Sequence, residues 1–183
     1  MADLMLWRRL DLPGHEYCRL LPFEEGWKLT GTVVVVYKHN PCKLDYEVRC
    51  DSGWQTLSAK VNGWIGDRKI ELDITVDSHR HWYLNGRECL SVEGCIDIDL
   101  GFSPSTNLFP IRRLALAEGE RVDVKAAWLP FPSLSFELLP QSYTRQGNHT
   151  YRYESRNGQF TRILIVNDAG FVIDYPGIWK SEL

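Results

Sequence analysis

Residues 43–50 read KLDYEVRC, with Leu44, Tyr46, Val48 and Cys50 alternating with Lys43, Asp45, Glu47 and Arg49. Successive side chains of an extended chain point to opposite faces, so this stretch has one apolar and one charged face, the pattern of a half-buried β-strand. Residues 69–76 repeat it, Ile70, Leu72, Ile74 and Val76 being apolar and Lys69, Glu71 and Asp73 polar. Ile96, Ile98, Leu100 and Phe102 alternate with Asp97, Asp99 and Gly101 in the same way. Residues 33–37, VVVVY, form an unbroken and mostly β-branched run, which predicts a strand covered on both faces.

Turn signals separate these runs. Asn62-Gly63, Asn85-Gly86 and Asn157-Gly158 are strong hairpin dipeptides, and they predict hairpins over 81–90 and 150–166. Asp168-Ala169-Gly170 turns the chain into a last strand, 171–175. Helical periodicity is nearly absent. Residues 111–118 follow Pro110 and precede Gly119, which would suit one short helix, but strand patterns on both sides make a strand the preferred reading. No repeat, low-complexity segment or linker divides the chain. The expectation is one all-β domain over 1–183, a barrel or half-barrel of roughly 12–15 mainly antiparallel strands with little or no helix. A barrel of more than about eight strands is too wide for its own side chains to fill, so an interior cavity is expected as the binding site.

Composition bounds the partners. The 183 residues carry 21 Lys and Arg against 24 Asp and Glu, a net charge of −3, which gives no electrostatic footprint for nucleic acid. No apolar stretch reaches the ~20 residues of a transmembrane helix. In MADLMLWRRL the charge follows a short apolar run, the reverse of an export signal, so the chain is expected in the cytosol. There the five cysteines, odd in number and without a CxxC spacing, are expected as free and mostly buried thiols. Seven Trp, eight Tyr and seven Phe make the chain aromatic-rich, and Trp128, Tyr143, Tyr151, Tyr153, Tyr175 and Trp179 gather in its last third. Such rings are core in most domains, but they also stack on sugars and line acyl pockets.

If 111–118 is a strand, Arg112 and Arg113 point to opposite faces and one of them lies among apolar neighbours; Arg162, on the face of Phe160, Leu164 and Val166, poses the same problem. Either a carboxylate such as Asp97, Asp99 or Asp174 pairs with it, or it holds a phosphate, carboxylate or sugar hydroxyl in the cavity. Asp97 and Asp99 would share a face about 6–7 Å apart, between the two glycosidase spacings, although a pair on one strand flanks a substrate bond poorly and solvent-facing pairs are common. His79 and His81 could share a metal, but they adjoin the Asp77-Ser78 turn and have no third ligand in view, which favours a surface turn. No motif for a cofactor is present.

Several longer stretches are familiar. GCIDIDLGFSPSTNLFPIRRL (94–114), AAWLPFPSL (126–134), LLPQSYTR (138–145), TYRYES (150–155) and FVIDYPGIWKSEL (171–183), with WRRL (7–10) and GTVVVVY (31–37), resemble a mainly bacterial glycolipid-binding family, formerly a domain of unknown function. The resemblance implies a many-stranded barrel-like fold, a distant likeness to periplasmic lipid carriers, and a role in glycolipid binding or metabolism. It supplies no catalytic residues. The motif positions Asp97, Asp99, Thr106, Asn107, Arg112, Arg113, Trp128, Tyr143, Asp174, Tyr175 and Trp179 are therefore the candidate ligand-binding residues. The expected function is binding of an amphipathic ligand, a glycolipid, without cofactor or metal: acyl part against aliphatic and aromatic side chains, head group on Arg112 or Arg113, Asn107 and Asp97. The alternatives are an enzyme of glycolipid or sugar metabolism using the carboxylates, and an interaction protein with a filled interior.

Overall fold

The computed structural model describes residues 3–183. The first half is an antiparallel meander of β1 (Asp3–Arg9), β2 (Gly14–Phe23), β3 (Gly26–Tyr37), β4 (Asn40–Asp51), β5 (Thr56–Ile65), β6 (Arg68–Val76), β7 (Trp82–Leu84) and β8 (Arg87–Glu88). After β9 (Asp97–Leu100) and helix α1 (Leu108–Leu114), a second meander follows: β10 (Arg121–Leu129), β11 (Glu137–Gly147), β12 (Thr150–Ser155), β13 (Phe160–Val166), β14 (Val172–Tyr175) and β15 (Trp179–Ser181). β15 pairs with β1 and joins the two meanders into one sheet of 15 strands. β9 runs parallel to β10 and forms one edge; β8 forms the other.

The two edges do not pair, so the sheet is strongly populated with strands but open. What stands in for closure is local. The backbone N–H of Thr56, at the start of β5, donates to Ile96 O at 3.1 Å, and Ile98 N–H donates to Thr56 Oγ1 at 3.1 Å. The Arg80 guanidinium spans the same seam, donating to Thr56 O (2.8 Å), Cys95 O (3.0 Å) and Ile96 O (2.7 Å).

β9 is consequently covered on both sides. Ile98 and Leu100 join the large core built from β1–β6, while Asp97 and Asp99 face the other way, opposite Ala126 and Trp128 of β10. The alternation in this strand thus separates two interior environments rather than core from solvent. A second, smaller core gathers Ile111, Leu116, Tyr143, Tyr151, Tyr153, Leu164, Val166 and Val172.

The strand reading of 111–118 is overturned. Leu108–Leu114 is helical and ends at Ala115, whose φ of 44° makes a left-handed cap. Pro110 lies in the first turn, where its missing N–H leaves no bond unmade, and Leu108, Phe109 and Ile111 turn inward. Arg112 and Arg113 are therefore about 100° apart around a helix instead of on opposite sheet faces. The run 33–37 is not covered twice either: Val33 and Val35 are buried, but Val34 and Val36 are exposed on the outer face, where β-branched side chains still suit an extended backbone. Asn62-Gly63 lies inside β5 and makes no hairpin. Gly63 has φ +149°, and a Cβ there would stand 1.9 Å from Lys43 O, so glycine permits close approach of β4. Asn85-Gly86 and Asn157-Gly158 do sit in turns, with positive φ at both residues of each pair. The five cysteines are free thiols, four of them buried. Among the described residues no helix is long and apolar enough to cross a membrane.

Candidate functional site

Alternate positions of β11 and β12 face inward and place Tyr143 and Tyr153 side by side, ring centroids 5.2 Å apart. Tyr175 of β14 and Phe160 of β13 close on Tyr153 at 6.2 and 6.1 Å. Beside this group lies a cavity of about 260 Å³, walled by Trp128, Tyr153, Phe160, Tyr175 and Trp179, with Arg9, Asp99, Ser103, Asn107 and Arg156 as its polar lining. Two of the cations are stacked on its rings, Arg9 over Trp179 (4.8 Å) and Arg156 over Trp128 (5.2 Å). The segment after β9 shapes another wall: Thr106 Oγ1 accepts from Leu100 N–H, and Asn107 accepts from the Tyr143 hydroxyl at 2.9 Å.

The two carboxylates of β9 have different fates. Asp97 is 1% exposed and takes two hydrogen bonds from Arg113, from Nε at 3.2 Å and from Nη2. Asp99 is only partly buried and opens into the cavity, accepting from Gln141 Nε2 at 2.6 Å, an amide that also donates to Tyr153 OH at 3.0 Å. Burial pushes the Asp99 carboxyl up to about 6, against the pull of Gln141 and with a small push from Asp97. Asp99 is thus an ionised acceptor at neutral pH that takes a proton on mild acidification, whereas Asp97 is committed to its guanidinium.

A larger cleft of about 630 Å³ adjoins this cavity. β9 pairs only with Ala126–Leu129, so the first half of β10 has an unpaired edge there, and Ile96, Leu114, Val122, Val124 and Pro140 give the cleft apolar walls. Ser155 lines both spaces, and Gln141, bonded to Asp99 on the cavity side, lines the cleft.

Residues 4–181 match the family described as "Putative glycolipid-binding". The chain belongs to this family. A crystal structure of a DUF1089 family protein from Pseudomonas aeruginosa is similar at 32% identity and a TM-score of 0.78, covering 90% of this chain and 91% of that one. A beta-barrel-like protein of domain of unknown function DUF1849 from Brucella abortus shares the fold at 10% identity and a TM-score of 0.61, covering 98% and 94%. No curated protein matches the chain.

Of the motif positions of this glycolipid-binding family chain, Asp99, Asn107, Trp128, Tyr175 and Trp179 line the aromatic cavity together. Tyr143 and Thr106 stand behind its wall as hydrogen-bond supports. Arg113 pairs with Asp97 and lines the larger cleft. Arg112 lies in neither space, and Asp174 is tied to Lys180 at 2.7 Å. Arg162 meets backbone carbonyls, Pro176 O and Thr161 O, in place of a carboxylate. His81 bonds Asp77 at 2.9 Å, and among the described residues no three His, Cys, Asp or Glu side chains gather as a metal site.

Sequence reasoning missed Arg9, Ser103, Gln141 and Arg156. It also missed Glu16, which is fully buried on β2, with Tyr46 OH and Ser103 Oγ at 2.6 and 2.5 Å from Oε1 and, among the described residues, no partner for Oε2. Burial pushes its carboxyl up to about 8 despite these hydroxyls. A signal existed: Glu16 shares parity with Cys18 and Leu20, so it sits on the apolar face of its strand.

Proposed function

We propose that the chain binds an amphipathic small molecule, a glycolipid, with the sugar in the aromatic cavity and the acyl part in the adjoining cleft. The observation that carries this reading is the Asp99 carboxylate, held by Gln141 and presented to a space walled by five aromatic rings. Flat rings stack on the C–H faces of a sugar, while a fixed carboxylate, the Asn107 amide and two guanidiniums meet its hydroxyls. The cleft volume of about 630 Å³ lies within the usual range for small-molecule sites, and its aliphatic walls suit a hydrocarbon chain. The family description supports the same ligand class. The head-group role expected for Arg112 and Arg113 is replaced here by Arg9 and Arg156.

Native mass spectrometry of freshly purified protein tests the proposal: a co-purifying glycolipid is expected, with occupancy greatly reduced in Trp128→Ala. A clean apo mass that persists after incubation with glycolipid extracts would overturn it. A second reading, acid–base chemistry on a glycoside, is favoured by the Asp99 carboxyl at about 6. Asp97 is bound to Arg113 and cannot serve as its partner, so turnover lost in Asp99→Asn and retained in Gln141→Ala is the outcome that would establish it.

A further inference from the structure

A third space, about 370 Å³, shares no lining residue with the cavity or the cleft just described. Arg112 projects into it from the exposed side of α1. Its guanidinium carbon stands 4.9 Å from the centroid of the Trp54 ring, and Trp54 is itself stacked on Trp27, 5.1 Å away and within 10° of parallel. Gly170 makes room for the side chain, because a Cβ there would stand 3.2 Å from Arg112 Cδ.

Stacking occupies one face of the guanidinium and leaves its N–H groups free in the plane. Among the described residues no carboxylate, carbonyl or hydroxyl accepts from Arg112, although Arg145 in the same wall satisfies itself on Leu116 O and Gly147 O. His149 and Tyr151 also line the space, and the one carboxylate there, Asp168, is fully exposed and lies 3.6 Å from His149 Nε2. The wall thus presents a held, planar and unpartnered cation backed by a second cation.

We infer that this cleft is a second ligand site, for a phosphate group gripped in plane by Arg112 with Trp54 as its backing surface. A guanidinium fork matches two phosphate oxygens, and the indole stack holds it in one orientation, so little side-chain freedom is lost on binding. The phosphate belongs either to a soluble molecule or to a phospholipid head group. This inference is independent of the sugar-binding reading, since none of its residues touches the aromatic cavity.

The test follows the Trp54 indole Nε1–H resonance, which every Arg112 variant keeps, in the full chain during titration with inorganic phosphate, using sodium chloride at matched ionic strength as the reference. A parallel arm measures co-sedimentation with phosphatidylcholine vesicles containing phosphatidylglycerol. A saturable phosphate response identifies a soluble ligand; binding to the anionic vesicles alone identifies a head group. In either case Arg112→Ala is expected to weaken binding about tenfold or more, as a lost charged hydrogen bond does, and Arg112→Lys, which keeps the charge without the fork, only partly restores it. Thermal unfolding of each variant confirms that it is folded. No saturable response in either arm, or one that Arg112→Ala leaves unchanged, would overturn the inference.

Discussion

Ser103 Oγ donates to Glu16 Oε1 across 2.5 Å, tying the segment after β9 to a fully buried carboxyl on β2. Ser103 lines the aromatic cavity, so the cavity wall is anchored to a group whose second oxygen has no partner among the described residues.

That anchor makes stability pH-dependent. The Glu16 carboxyl sits at about 8 in the fold and near 4.5 when unfolded, so between those values the folded chain holds more protons. Stability therefore falls as pH rises through this window, by an amount on the order of a few kcal/mol from this group, and is greatest below it. Urea unfolding from pH 5 to 8.5 should show this decline in the wild type and a much flatter profile in Glu16→Gln. Equal slopes in the two proteins would show that Glu16 ionises freely.

Arg113 and Asp97 form a pair in which the carboxylate is almost wholly enclosed. Removing the cation strands a buried charge, so Arg113→Ala should cost about 3–5 kcal/mol, while Arg113→Ala combined with Asp97→Ala should cost clearly less than the two single losses added. A double-mutant cycle by chemical denaturation measures the difference; strict additivity would mean that the pair is not coupled.

Ligand retention should depend on Asp99. Its ionised form accepts hydroxyl hydrogen bonds, and with the carboxyl at about 6, glycolipid occupancy should fall as pH drops from 7 to 5. In Asp99→Asn the occupancy should be low and flat over that range. A wild-type profile equally flat would remove Asp99 from the head-group contact.

Arg80 holds the seam between β5 and β9 through three carbonyls. Arg80→Ala should destabilise by about 2–4 kcal/mol, given about 1.5–3 kcal/mol for a charged hydrogen bond. Arg80→Lys should rescue little, because one ammonium cannot span three acceptors. Hydrogen exchange should quicken first at Thr56 and Ile98, whose amides bridge the seam. Uniform quickening across β2–β4 instead would show that Arg80 supports the whole sheet.

Much of the strand content was readable. The alternation in 43–50 and 69–76 maps onto β4 and β6, and the turns at Asn85 and Asn157 lie where the dipeptides place them. Alternation says which residues share a face but not what that face meets. Hence the unbroken run 33–37 predicts a cover that Val34 and Val36 lack, and the alternation at Asp97 and Asp99 is compatible with a solvent-facing pair although β9 is enclosed on both sides. Asn62-Gly63 misled because its glycine answers to the carbonyl of a neighbouring strand 19 or more residues earlier, a contact invisible to local reading. A strand period puts Arg112 and Arg113 on opposite faces, and it misleads because seven helical residues between strands offer too short a run for periodicity to decide.

The sequence by itself determined an all-β chain of many strands, because side-chain parity and turn chemistry act over a few residues, while its longer motifs, such as 94–114 and 171–183, carry the family resemblance. Only the tertiary structure decided that the sheet stays open, that β9 lies between two cores, and that Arg9, Asp99 and Trp179 meet in one cavity. Those outcomes depend on how a long twisted sheet curls back on itself, and its curl is set by contacts between residues far apart in the chain.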